Sequence, residues 1–428
     1  MKYCISNGTV LLWNGIDYYL SKEDIFINGS SIEYVGNGKR NDSNGYTVID
    51  ASNHLVTPGL INSHTHAYMS FMKNSADNLP FDEWLFNRII PVENRMIKSD
   101  FYSATMLGCI EMLRSGVTTF VDMHICEDEC AKAVSDSKMR AFMGKCIRGT
   151  DINGDARTDF QKALDDKLTY DSELINTILS PHSVYACSPR LLFQISEYSD
   201  EYGMIKHIHL SESDNEIKRC FAEYGKTPVK HLYDLGFLDS RTIAAHCVKV
   251  TDDDMNFLKE KDVNVVTNPS SNAKLGNGIA PVTDMSDRGI NICLGTDSAA
   301  SNNTLNMFRE MNFFNLIHKA KNKSAISLST NDILKSVTIN PAKALGAEMK
   351  LGVIAEGACA DLIFIDLNSP SLFPNNNIIS SLCCSANGTE VDSVMVNGEF
   401  LMKDRKLTTI DEEKIYYKVK RMVEKYFN

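Results

Sequence analysis

The sequence predicts an α/β fold: a (β/α)8 TIM-like barrel with a small β-sandwich domain formed by both termini. Two observations support this prediction. Between about residues 56 and 351, short apolar segments alternate with longer segments of helical periodicity, the pattern of parallel β/α units. Both ends of the chain instead carry short β-type segments separated by turn residues. The predicted domains are therefore 57–351 for the barrel, and 1–56 with 352–428 for the sandwich and a C-terminal helix.

The terminal segments are too short to bury a core separately, which is why one shared sandwich is expected. Asn-Gly pairs, including those at 37–38 and 44–45, separate the N-terminal strands. The chain ends in a predicted amphipathic helix over 411–427, with Ile415, Val419, Met422 and Phe427 on its apolar face. The predicted terminal strands are Tyr3–Trp13, Asp24–Ile27, Ser31–Val35, Tyr46–Ile49, Gly357–Asp366 and Val391–Leu401.

The middle of the chain contains eight candidate strands, the number that closes a (β/α)8 barrel. The third could equally be part of a helix, because its apolar residues fit both periods. The eight are Leu60–His66, Thr118–Met123, Arg140–Cys146, Thr177–His182, His207–Leu210, Thr242–His246, Val263–Thr267 and Ile290–Asp297. A helix over Ser99–Ser115, with Ser99 as its N-cap, connects the first two strands.

Composition and charge exclude several functional classes. The chain has 428 residues and a net charge of −11, without the clustered Lys and Arg that a nucleic-acid polymer would require. No segment reads as a signal peptide or a membrane span, so a cytoplasmic protein without membrane partners is expected. Its twelve cysteines are scattered and are expected to be reduced thiols. Whether the chain forms a homo-oligomer is left open.

Histidine and acidic residues stand where several predicted strands end. His64 and His66 close the first strand and point to one face, because a strand has a side-chain period of two. The fifth strand ends in His207-Ile-His209-Leu-Ser-Glu212, the sixth in His246 and the eighth in Asp297. Each alone could be an ordinary polar residue at a strand end. Together they offer three histidines and a carboxylate, which suit Zn2+ or Fe2+; His209 is the preferred ligand and His207 a core or supporting residue.

Seven longer motifs point to one family. They are PGLINSHTH, LPFDEWLFNRIIPVE, SPHSVYACS, HIHLSES, AAHCV, NPSSNAKLGNGIAPV and GTDSAASNNTLNMFREM. Through them the chain resembles the amidohydrolase superfamily, and within it the deaminases of S-adenosylhomocysteine and 5'-methylthioadenosine. The resemblance implies one divalent metal, Zn2+ or alternatively Fe2+, held by His64, His66, His209 and Asp297. Because the fourth strand ends in Ser180-Pro181-His182, without a bridging lysine or acid, a mononuclear site is expected.

The remaining polar residues then receive catalytic hypotheses. A divalent ion lowers the pKa of bound water toward about 7. Glu212 would protonate the ring nitrogen beside the amino-bearing carbon, as the glutamate of the unrelated zinc nucleobase deaminases does. His246 would orient the attacking hydroxide and stabilise the tetrahedral centre, and Asp297, besides binding metal, would take the hydroxide proton and help ammonia to leave. The alternative for Glu212 is a solvated acid at a helix start.

The substrate implied by the resemblance is an adenosine-type nucleoside. Glu93 would accept the ribose hydroxyls, His182 would bond a purine nitrogen and Trp84 would cover the nucleoside, although Trp84 could instead be a packing residue. Arg148 and Arg157 lie where the family places arginines for a charged 5' tail, with Lys145 as a competitor. Other open readings are a guanine or other aminopurine deaminase, a triazine-type chlorohydrolase and, disfavoured by the complete ligand set, a non-enzymatic scaffold.

Overall fold

A computed structural model of the chain describes residues 1–37 and 45–427. Within the described residues, the N-terminal segment forms seven short strands, and Asn7, with a positive φ of 65°, breaks the predicted Tyr3–Trp13 strand into two. Asn-Gly pairs 37–38 and 44–45 each include a residue outside the described ranges, so those turns stay predictions. The strands are β1 (Lys2–Ser6), β2 (Thr9–Trp13), β3 (Tyr18–Ser21), β4 (Ile25–Asn28), β5 (Ser31–Val35), β6 (Thr47–Asp50) and β7 (His54–Pro58).

Parallel strands occupy the middle of the chain at all eight predicted places. The uncertain third segment is a strand, buried along its whole length. The fourth is split in two around 178–179, and both pieces pair with the third. These strands are β8 (Leu60–Thr65), β9 (Val117–His124), β10 (Arg140–Ile147), β11 (Ile175–Thr177), β12 (Ser180–Pro181), β13 (Lys206–Leu210), β14 (Thr242–His246), β15 (Asn264–Thr267) and β16 (Asn291–Leu294).

The parallel strands form two sheets that contact each other at both outer edges. One sheet has the order β11-β10-β9-β8, with β12 beside β10, and the other has the order β13-β14-β15-β16. At one junction Asp297 N donates to His64 O (2.9 Å); at the other His207 N donates to Leu179 O (2.8 Å). Their carboxyl ends therefore face a common region.

The C-terminal segment adds β17 (Leu362–Asp366), β18 (Val391–Val396), β19 (Glu399–Lys403) and β20 (Lys406–Leu407). These four strands join three N-terminal ones in a seven-stranded sheet of order β20-β19-β18-β17-β7-β2-β3. The other N-terminal strands form a second sheet, β5-β4-β1-β6. Strands from the two ends of the chain thus share one sheet, as the sequence predicts.

The helices lie mainly between the parallel strands, and several of them begin at a side-chain N-cap. Ser213 accepts from Glu216 N and begins the helix directly after Glu212. The helices are α1 (Phe81–Trp84), α2 (Ile90–Glu93), α3 (Lys98–Arg114), α4 (Glu127–Ser137), α5 (Arg157–Tyr170), α6 (Pro189–Tyr202), α7 (Asp214–Tyr224), α8 (Pro228–Asp234), α9 (Asp252–Glu260), α10 (Pro269–Lys274), α11 (Val282–Asp287), α12 (Met307–Asn322), α13 (Thr330–Ser336), α14 (Ile339–Ala344), α15 (Ile378–Cys384) and α16 (Glu412–Phe427). A 3-10 turn over Ala67–Met72 and a π-helical turn over Leu85–Ile89 complete the set.

Two helix predictions were wrong in detail. Helix α3 begins one residue early, at Lys98, so Ser99 is inside the helix and Ile97 precedes it. In α16 the fourth buried position is Tyr426, whereas Phe427 is exposed. The Tyr426 hydroxyl reaches Asp100 on α3, which turns that side chain inward. No helix within 1–37 and 45–427 is long and apolar enough to cross a membrane.

Candidate metal centre and active site

The predicted ligands meet where the parallel strands end. The candidate ligand atoms of His64, His66 and His209 all lie within 4.8 Å of one another, and so do those of His64, His246 and Asp297. All of these side chains are buried. His64, His209 and His246 lie in β8, β13 and β14, and His66 directly follows β8; Asp297 follows β16 with a positive φ of 60°. Residues more than 200 positions apart in the sequence therefore form one cluster.

Hydrogen bonds orient two of the imidazoles toward a shared point. His66 Nδ1 lies 2.8 Å from Met123 O, and His209 Nδ1 lies 2.8 Å from His182 O. Since a carbonyl only accepts, each Nδ1 carries the proton and each Nε2 presents a lone pair. Those two Nε2 atoms are 3.2 Å apart. Two lone pairs at this distance repel, so the donor set fits a cation bound between them.

His64 and Asp297 complete the same donor set. His64 Nε2 is buried and has no hydrogen-bond partner among residues 1–37 and 45–427. It lies 3.4 Å from Asp297 Oδ1, which is also 3.4 Å from His66 Nε2. Burial lowers the pKa of His64 to about 4, although the carboxylate of Asp297 opposes this. A neutral imidazole is the form that binds metals, so three nitrogens and one oxygen are available for Zn2+ or Fe2+.

Asp297 is held as a carboxylate. Its Oδ2 accepts from Ser271 Oγ (2.6 Å) and Ser301 Oγ (2.7 Å), which leaves Oδ1 for the histidine cluster. Burial by itself would raise the pKa of Asp297, but its interaction with His64 and, next, with His246 and His66 holds it well below its usual range. The two serines lie in α10 and in the loop after Asp297, so the fold determines which oxygen faces the cluster.

Glu212 lies beside the cluster as a buried acid. Its Oε1 accepts from Asn277 Nδ2 (3.0 Å), and its Oε2 is 3.9 Å from His246 Nε2. Burial and, next, the charge of Asp297 raise the pKa of Glu212 to about 8, against the lowering effect of the Asn277 hydrogen bond. The side chain therefore retains a proton at neutral pH, as a general acid must. The reading of Glu212 as a solvated helix-start acid does not fit a side chain that is 6% exposed.

Two neighbours of Glu212 were not singled out from the sequence. Glu216 is buried and accepts from the backbone N–H groups of Ser211 (3.0 Å) and Glu212 (2.7 Å). Asn277, which holds the Glu212 carboxyl, lies in the loop after α10. The capping pattern Ser213-x-x-Glu216 marks a helix start in sequence, but it does not reveal that this glutamate holds the preceding loop.

One cavity connects the cluster to the predicted substrate residues. His66, His209, Glu212, His246 and Asp297 line it, as do Trp84, Glu93, Arg148 and His182. Trp84 is 5% exposed, and its indole Nε1 has no hydrogen-bond partner in the described chain. Trp84 thus packs into the interior and also lines the cavity, so both sequence readings apply.

The other polar candidates differ in position. Arg157 is exposed at the first residue of α5 and does not line the cavity. Lys145 donates to Ile125 O (2.6 Å) and lies 3.4 Å from Asp159, also outside the lining. Of the three cations considered for a substrate tail, the structure places only Arg148 at the cavity. Tyr68, which sequence reasoning missed, donates to Glu93 Oε1 at 2.5 Å.

The chain belongs to the amidohydrolase family, whose model matches residues 55–401. A 5-methylthioadenosine/S-adenosylhomocysteine deaminase from Thermoanaerobacter pseudethanolicus is 40% identical over 427 residues, 98% of each chain. A 5'-deoxyadenosine deaminase from Methanocaldococcus jannaschii is 39% identical over 94% of this chain and 96% of its own length. The crystal structure of a zinc-bound adenosine deaminase from Xanthomonas campestris superposes with a TM-score of 0.94, at 27% identity, covering 99% of this chain and 98% of that one.

Proposed function

We propose that this protein is a metal-dependent aminohydrolase that converts an adenosine-type nucleoside to the inosine analogue and ammonia. S-adenosylhomocysteine, 5'-methylthioadenosine, adenosine and 5'-deoxyadenosine are the candidate substrates. The single observation that carries the proposal is that the buried acid Glu212 lines one cavity together with His66, His209, His246 and Asp297 of the His/Asp cluster. The full-length similarity to deaminases of such nucleosides supports it.

The architecture we infer is a closed (β/α)8 barrel over 57–351 with a β-sandwich formed from 1–56 and 352–428. Hydrogen bonds at both junctions between the parallel sheets support closure. So does one buried apolar cluster that takes residues from the strands around the ring: Ile61, Val121, Phe142, Ile178, Ile243, Val266 and Cys293. A second cluster includes Ile5 and Ile27 from one terminal sheet and Val56, Leu362 and Phe364 from the other, as two packed sheets require.

His64, His66, His209 and Asp297 would hold one divalent ion, for which Zn2+ is the first choice and Fe2+ the alternative. When bound, such an ion makes a water molecule available as a nucleophile near neutral pH. The support lies in the donor set itself, since lone pairs from two fixed imidazoles and one carboxylate oxygen converge on a buried point. This arrangement would be repulsive without a positive charge.

The chain's own groups would then carry the protons. Water adds to the amino-bearing carbon of the purine while Glu212 gives its proton to the adjacent ring nitrogen, so that no full negative charge develops on the ring. His246, whose Nδ1 is 2.8 Å from Asn272 Oδ1, would direct the water with Nε2. Asp297 would accept a proton from the water and return it to the departing amine. The C–N bond breaks and ammonia leaves. The proton of the added hydroxyl passes to the Glu212 carboxylate as the C=O bond of the inosine analogue forms, which restores the acid.

Substrate orientation would come from other residues that line the cavity. Glu93, fixed by Tyr68, presents a carboxylate to the ribose hydroxyls, and His182 lies beside His209 with ring centroids 4.7 Å apart. That position suits a bond from His182 to a purine nitrogen, with Trp84 covering the nucleoside. We assign a negatively charged 5' tail to Arg148, because Arg157 and Lys145 do not line the cavity.

A substrate panel on metal-replete protein tests the proposal. Adenosine, 5'-methylthioadenosine, S-adenosylhomocysteine, 5'-deoxyadenosine, guanine and a chlorotriazine would be compared by ultraviolet absorbance and ammonia release. We expect turnover of the ribosylated adenines and none of the last two. Activity confined to guanine or the triazine would overturn the proposal, and so would full activity in protein freed of metal by a chelator.

A further inference from the structure

His207 lies one level deeper in the protein than the predicted ligand His209. Both belong to β13 and, two residues apart, they point to the same face. His207 is completely buried, and its Nε2 is 2.8 Å from His64 Nδ1. The two rings are nearly perpendicular, with an interplanar angle of 76°. Among the described residues, His64 Nδ1 therefore makes its polar contact with a side chain and not with the backbone.

This contact differs from those of the other two histidines in the cluster. His66 and His209 are oriented by backbone carbonyls, which can only accept a hydrogen bond. An imidazole nitrogen can donate or accept, depending on its tautomer. If His207 accepts, His64 carries its proton on Nδ1 and Nε2 is free for the metal. If His207 donates, the proton of a neutral His64 lies on Nε2, and its metal-binding lone pair is lost.

We propose that His207 is a positioning residue that sets metal affinity by holding His64 in the Nδ1–H tautomer. The inference rests on the metal dependence of the proposed function. In this arrangement the proton of His207 lies on its own Nδ1, which is buried and without a hydrogen-bond partner among residues 1–37 and 45–427. Metal binding thus selects the tautomer in which the buried Nδ1–H of His207 has no acceptor, which costs free energy. Without the metal, His207 can carry its proton on Nε2 instead and donate it to His64, which removes that cost.

Zinc affinity of the stripped protein, measured by competition with a chromophoric chelator, tests this role without any substrate. His207→Phe removes the acceptor but retains a ring, and we expect zinc to bind about 10–100-fold more weakly. His207→Gln places an amide oxygen near the position of Nε2 and should restore most of that loss. His318→Phe is the matched control: His318, on α12 outside the cavity, is also a buried histidine whose Nδ1 has no hydrogen-bond partner among the described residues. Its zinc affinity should equal that of the wild type.

The cobalt-substituted proteins give a second measurement. The visible Co2+ spectrum reports ligand geometry, so it should change in His207→Phe and not in His318→Phe. If His207→Phe does not fold, His207→Gln is compared with His207→Asn, whose shorter side chain cannot reach the Nε2 position. Equal zinc affinity of Gln and Asn, or of Phe and the wild type, would overturn the inference.

The outcomes separate this inference from the proposed deaminase chemistry. A wild-type protein that binds zinc tightly but deaminates none of the nucleosides would remove the proposed function and leave the role of His207 intact. An active His207→Phe enzyme with unchanged zinc affinity would overturn the role of His207 and leave the proposed function intact. A wild-type protein that binds no divalent metal would overturn both.

Discussion

Replacing Glu212 with Gln isolates the proton that the site would deliver to the purine ring. The two side chains have nearly the same shape, and the Gln amide oxygen can still accept from Asn277 Nδ2, which is 3.0 Å from Glu212 Oε1. The substitution replaces the other oxygen, Oε2, which lies 3.9 Å from His246 Nε2, with an amide nitrogen. Glu212 is not a predicted ligand, so the metal content should be unchanged.

The expected loss follows from the role of a general acid. Such a group contributes about 10²–10⁴-fold in rate, which corresponds to about 3–5 kcal/mol of activation free energy. The buried Glu212, whose pKa is raised to about 8, carries its proton at pH 7. Since Gln has no proton to transfer, kcat should fall by the full factor, while KM should change little.

Ammonia release and purine absorbance would be measured at pH 7 under saturating substrate, with metal content determined on the same sample. Glu223→Gln, an exposed glutamate on the same helix α7, is the control and should retain wild-type turnover. A Glu212→Gln enzyme that keeps its metal and at least half of the wild-type kcat would refute the assignment of Glu212 as the acid.

Three further predictions concern neighbours of the site. Asn277→Leu removes the hydrogen bond to Glu212, and kcat should fall about tenfold with little change in KM, as steady-state kinetics would show; an effect on KM alone would contradict this. Arg148→Met should lower kcat/KM for S-adenosylhomocysteine about 10–100-fold and leave adenosine unaffected, whereas Arg157→Met should change neither; the reverse result would move the tail site to Arg157. Burial raises the pKa of Glu310 from 4.5 to about 7, so its contribution to stability is complete below pH 4.5 and lost as the pH rises to about 7. Between pH 4.5 and 7 the free energy of unfolding, measured with urea, should therefore fall by up to about 3 kcal/mol more in the wild type than in Glu310→Gln. The same pH dependence of the unfolding free energy in both proteins would refute this.

Periodicity predicted the positions of the parallel strands correctly. The parallel strands are short segments that contain apolar residues and alternate with longer helical stretches, and this alternation is visible in sequence. The third, Arg140–Ile147, was ambiguous because its run fits a helix as well, and pairing with β9 and β11 decides it. Strand β3 was missed, since Tyr18–Ser21 is a short edge strand whose position depends on β2. In α16 the buried residue is Tyr426 and not Phe427. The sequence did not predict this, because the Tyr426 side chain contacts Asp100 on α3, which is far away in the chain.

For the site as well, some features could be predicted from sequence and others depend on the tertiary structure. Strand-end chemistry and motif spacing by themselves determined His64, His66, His209, Glu212, His246 and Asp297 as candidates, because a period of two and a change from strand to loop are local properties. Only the tertiary structure decided which partners these groups have. Asn277 beside Glu212, Tyr68 on Glu93 and His207 beneath His64 are contacts between distant segments. The same is true of the choice of Arg148 over Arg157, since facing the cavity depends on how the connection from β10 to α5 packs and leaves no pattern in its sequence.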